Sequence, residues 1–65
     1  MKELIEDIKN KKPIKVYILG KDYGIYEYNE VKQRYEGFGY LTMESIKKIL
    51  RKEVDFIEIR RTKNE

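Results

Sequence analysis

Ile14-Lys15-Val16-Tyr17-Ile18-Leu19, running into Gly20-Lys21-Asp22-Tyr23-Gly24, is the stretch that decides the fold. Its aliphatic residues recur at every second position, the period of a β-strand with one buried face. Ile14, Val16 and Ile18 form the set that faces a core, and Lys15, Tyr17 and Leu19 point the other way. Gly20 to Gly24 is turn material. Pro13 keeps any preceding helix from running into the strand.

Upstream, residues 3 to 10 predict a short helix. Leu4, Ile5 and Ile8 share a face, acids lie in the early turns and Lys9 lies near the end, which suits the helix dipole. Downstream, residues 25 to 34 predict a second strand with Tyr26 and Tyr28 on one side. Residues 36 to 42 predict a third. Thr42 suits an N-cap, with Glu44 in the first turn of a helix that runs to about Lys52. Its apolar stripe is Met43, Ile46, Ile49 and Leu50. A last strand covers Val54 to Arg60, and Arg61 to Glu65 is a fraying tail.

The order is αβββαβ in one α+β domain spanning residues 1–65, a two-layer sandwich. Both short helices lie on one face of a small, mostly antiparallel sheet. Leu4, Ile5, Ile8, Ile14, Val16, Ile18, Leu41, Met43, Ile46, Ile49, Leu50, Ile57 and Ile59 are the expected core.

A chain of 65 residues buries only about 60% of the surface it exposes unfolded, leaving little interior for polar machinery. It has no Cys and no His, so disulfides, thiol nucleophiles, Cys/His zinc sites and the commonest general base are all missing. Ser45 has no base to activate it, and Gly37-Phe38-Gly39 lacks the third Gly and following Lys of a phosphate-binding loop. The expectation is a binding domain with no catalytic residues, no metal and no cofactor. No apolar run reaches the ~20 residues a membrane-spanning helix needs. The acidic, interrupted N-terminus does not read as a signal peptide. A disulfide-free domain fits a reducing cytoplasm, the expected location.

Fifteen basic residues against twelve acidic ones leave a charge of +3, and six Tyr and two Phe are many for this length. Strand alternation puts most of these rings on the sheet face that the helices leave open. Tyr17, Tyr26, Tyr28, Phe38, Tyr40 and Phe56 are expected there with Lys15, Glu58 and Arg60. Such a surface marks a binding site, since bases stack on aromatic rings and cations hold phosphates. Tyr is equally at home at a protein interface or in a homodimer closed through the same face.

Glu36-Gly37-Phe38-Gly39-Tyr40-Leu41-Thr42-Met43 resembles the RNP1 signature of the RNA recognition motif, and Val16-Tyr17-Ile18-Leu19-Gly20 is similar to its companion RNP2. Glu36 stands where that family carries Lys or Arg, and Met43 where it carries an aromatic. The resemblance implies base stacking on Tyr17, Phe38 and Tyr40. A second likeness, of Leu4-Ile5 and Ile8-Lys9-Asn10-Lys11 followed by a strand, is to small phage-encoded anti-CRISPR proteins. It implies an inhibitor that docks on a protein. Single-stranded RNA or DNA held by Tyr17, Tyr26, Tyr28, Phe38, Tyr40, Lys15 and Arg60 is thus one expectation. A protein target, or a second copy of the chain, is the other.

Overall fold

The computed structural model describes residues 2–62. Its elements are α1 (Lys2–Lys9), β1 (Ile14–Ile18), β2 (Lys21–Asn29), β3 (Arg34–Glu36), β4 (Tyr40–Thr42), α2 (Met43–Leu50) and β5 (Ile57–Arg61). All strand pairings are antiparallel, and the sheet order is β4-β3-β2-β1-β5. The chain thus meanders through four strands, crosses by α2, and returns to the far edge of β1. The α+β class holds. The order αβββαβ does not, because the expected third strand is split.

Gly37-Phe38-Gly39 makes that split. Glu36 pairs with Tyr40, so the three residues between them close a hairpin. The amide of Gly37 donates to the Gly39 carbonyl at 2.8 Å. The turn lies against Tyr26, whose hydroxyl accepts from the Gly39 amide at 3.1 Å. A Cβ on Gly37 would stand 2.7 Å from Tyr26 Cδ1 and 2.9 Å from the Ile25 carbonyl oxygen. Only glycine allows the hairpin to approach so closely.

The hairpin between β1 and β2 is tighter than expected. Ile18 pairs with Lys21, so Leu19 leaves the strand, and Lys21 to Tyr23 join one. Leu19 and Gly20 both have positive φ, 52° and 78°, the requirement of a type I′ turn.

A bulge then sets the phase of β2. Lys15 faces Ile25, yet Tyr17 faces Asp22, so Val16 stands opposite both Tyr23 and Gly24. Gly24 takes φ +86° there, as a bulge glycine does. Counting in twos from outward-facing Asp22 would put Tyr26 and Tyr28 outside. The extra residue reverses the count and turns both inward. Tyr26 is 3% exposed, and Tyr28 is half-buried with its ring edge-on to Tyr35 at 5.3 Å. The outward placement of these two tyrosines is therefore overturned.

Both helices pack on the same face of the sheet. Leu4 and Ile8 of α1 and Ile46 and Ile49 of α2 meet Ile14, Val16, Tyr26, Tyr35 and Ile59. Ile18, Leu41, Met43, Leu50 and Ile57 pack at the margin as partly buried residues. Ile5 is exposed, because α1 offers the sheet only the stripe through Leu4 and Ile8. Thr42 caps α2 as expected, its hydroxyl accepting from the Ser45 amide at 3.1 Å. Arg61, expected in the tail, belongs to β5 and pairs with Ile14. Its guanidinium grips buried Asp7 of α1 at 2.8 Å. The remainder of the expected tail from Lys63 onward lies outside the described residues.

Candidate functional site

The pairing registers define which side chains share the outer face, away from the helices. Tyr17 and Lys15 of β1 stand beside Glu58 and Arg60 of β5. On the other side of β1 are Asp22 and Ile25 of β2. Glu27 and Asn29 then face Glu36 and Arg34 of β3, which face Tyr40 and Thr42 of β4.

Of the seven residues expected to bind nucleic acid, four lie on this face: Lys15, Tyr17, Tyr40 and Arg60. Tyr26 and Tyr28 lie on the opposite one. Phe38 occupies the β3–β4 turn, 83% exposed, with its ring edge-on to Tyr23 at 5.4 Å. Tyr40 is 58% exposed. Neither Phe38 nor Tyr40 is covered by a helix. Phe56 precedes β5 and is also exposed.

The two rings on the outer face are not bare. The Arg60 guanidinium lies over Tyr17 at 4.6 Å, and Lys15 Nζ approaches the same ring at 5.8 Å. Arg34 lies over Tyr40 at 4.0 Å. A carboxylate in turn holds each cation. Glu58 binds Arg60 through Oε2 at 2.8 Å and Oε1 at 3.3 Å. Glu36 accepts from Arg34 at 2.7 Å and from Asn29 Nδ2 at 3.2 Å. Asp22 sits 3.4 Å from Lys15 Nζ. Sequence reasoning missed Arg34, because residues up to Arg34 read as a polar extension of one strand. Its spacing of two from Glu36 was the available signal.

These contacts shift the titrations in the same sense. Arg34, the main influence, and Asn29 hold Glu36 below its ordinary range. Arg60 does the same for Glu58. The Gly24 amide, donating at 2.7 Å, lowers Asp22 first, with Lys15 adding to it. Lys15 and Arg60 are raised by their carboxylate partners. All five groups therefore stay charged across the physiological range.

Lys15, Arg34 and Arg60 thus share the face with Asp22, Glu27, Glu36 and Glu58. The net positive charge of the chain resides elsewhere. Lys9, Lys11 and Lys12 lie at the end of α1, and Lys47, Lys48, Arg51 and Lys52 at the end of α2, where the helix dipole favours cations. No group of three or more carboxylates able to hold a metal occurs among the described residues. No helix of the described chain is long and apolar enough to cross a membrane. No family model, curated protein or solved structure matches the chain.

Proposed function

We propose that this chain is a non-catalytic binding module that takes a protein partner on the outer face of its sheet. The observation that carries the reading is the pair of ring–guanidinium stacks, Tyr17 with Arg60 and Tyr40 with Arg34, each fixed by its own carboxylate. Tyr and Arg are the residues that dominate protein interfaces, above all when their conformations are set before binding. Exposed Ile25, between the two stacks, supplies apolar area.

Single-stranded nucleic acid fits this face less well. A base that stacks on Tyr17 or Tyr40 competes with the guanidinium already over that ring. Phosphates beside those rings would also meet Glu27, Glu36 and Glu58, and most of the lysines lie at the helix ends instead. The loss of Tyr26 and Tyr28 to the core removes the broad platform that stacking requires.

The test compares wild type with two double variants, Tyr17→Ala/Arg60→Ala and Tyr40→Ala/Arg34→Ala, in nuclease-treated pull-downs from the cell of origin. The reading expects one stoichiometric protein that wild type retains and both variants lose, with unchanged circular dichroism. Fluorescence anisotropy with mixed-sequence oligonucleotides at low salt runs in parallel. Saturable micromolar binding there, abolished by the same variants, would overturn the protein reading in favour of nucleic acid.

A further inference from the structure

We infer that β5 is a self-pairing edge through which two copies of this chain form a symmetric dimer. The sheet ends at β5, and among the described residues no strand pairs with its outer edge. The direction of its backbone groups follows from the ladder with β1. The Leu19 amide donates to the Phe56 carbonyl at 2.8 Å, in the same register that pairs Tyr17 with Glu58. Antiparallel ladders alternate, so Phe56, Glu58 and Arg60 turn their amides and carbonyls toward β1. Ile57, Ile59 and Arg61 therefore turn theirs to the open edge.

A second β5, antiparallel and centred on Ile59, lines up with this edge and pairs the outward amides and carbonyls of Ile57 and Ile59. Ile59 then pairs with its own copy, and Ile57 with Arg61 of the other chain, each as a hydrogen-bonded pair. Glu58 falls opposite Arg60 of the other chain, and Arg60 opposite Glu58, in the closer, non-bonded positions where side chains meet best. Both cross-pairs are opposite in charge, and both lie on the outer face. Sliding the second strand by two residues in either direction would set Glu58 against Glu58 or Arg60 against Arg60. Charge thus selects one register, and that register has the two-fold symmetry of a closed dimer. On the helix side, a cavity of about 230 Å³ is bordered by Leu4, Leu50, Ile57 and Ile59. Lys52, Asp55 and Glu58 line it as well, so its walls are mixed. The edge shares Glu58 and Arg60 with the Tyr17 stack but lies three strands from the Tyr40–Arg34 stack, so the Tyr40→Ala/Arg34→Ala variant separates loss of the proposed partner from loss of the dimer.

Charge reversal tests it. Glu58→Arg alone sets Arg against Arg at both cross-pairs, and Arg60→Glu alone sets Glu against Glu. Each variant should lose dimer affinity by more than about tenfold. Their equimolar mixture restores opposite charges at both cross-pairs and should form a heterodimer. Sedimentation of the full chain from micromolar to millimolar concentration reads all three, with circular dichroism confirming the fold. A wild type that stays monomeric throughout overturns the inference. So do single variants that dimerise as wild type does, or a mixture that stays monomeric. Should a variant fail to fold, hydrogen exchange on wild type decides. The amides of Ile57, Ile59 and Arg61 should slow as concentration rises, and concentration-independent exchange would overturn the edge pairing.

Discussion

The hydroxyl of Tyr35 donates to the Lys12 carbonyl at 2.8 Å from a residue with no exposed surface. Burial first, then the neighbouring Tyr28 and Asp7, pushes its pKa from 10.0 up to about 12. Between those values the native state keeps a proton that the unfolded chain has released. Stability from this group is therefore whole below pH 10 and falls as pH rises toward 12. Tyr35→Phe should cost about 1 kcal/mol at neutral pH, since it orphans the Lys12 carbonyl. It should also flatten part of the alkaline decline, as urea unfolding of both proteins across that range will read. Gly24 makes a second single-residue test. A Cβ there meets nothing within 4 Å, so Gly24→Ala isolates the backbone cost of φ +86°. The expected loss is about 1–2 kcal/mol by the same measurement.

At the scale of elements, both helices end on one motif. In α1 the Lys12 amide reaches the Asp7 carbonyl at 2.9 Å and the Lys11 amide reaches Ile8 at 3.0 Å. In α2 the Glu53 amide reaches Lys48 and the Lys52 amide reaches Ile49, both at 3.0 Å. The residue in the left-handed conformation is a lysine each time, Lys11 with φ 57° and Lys52 with φ 64°. Glycine is the usual occupant of that position. Lys52→Gly should therefore raise stability by up to about 1 kcal/mol. Leu19→Asn should do likewise in the type I′ turn, where Leu19 is exposed and loses no packing. Thermal unfolding of the two variants checks both, and a lowered midpoint would contradict the assigned turns. The helices themselves were legible in the sequence, because Leu4, Ile8, Ile46 and Ile49 keep a helical period and Thr42 caps with its own side chain. β1 was legible for the same kind of reason. The Gly37–Gly39 turn was not, since Gly-Phe-Gly-Tyr alternates as a strand does. The turn packs against the ring of Tyr26, distant in sequence, a contact that no local pattern shows.

For the whole molecule, one inserted residue decides which rings meet solvent. The bulge at Gly24 depends on the pairing of β1 with β2, which no local pattern in β2 reveals. Alternation alone therefore put Tyr26 and Tyr28 outside and overlooked Tyr35, hidden between polar neighbours Arg34 and Glu36. The part of the site that was legible, Lys15, Tyr17, Tyr40 and Arg60, lies on β1, β4 and β5, whose own alternation the extra residue in β2 leaves intact. What results is a charge-balanced face with two braced tyrosines, on which the proposal of a protein partner rests.

Tyrosine nitration of the native protein, mapped by mass spectrometry, tests that assignment of faces most directly. Tyr40 should react readily and Tyr17 measurably, while Tyr26 and Tyr35 should react only once the chain is unfolded. Nitration of native Tyr26 as fast as that of Tyr40 would contradict the account.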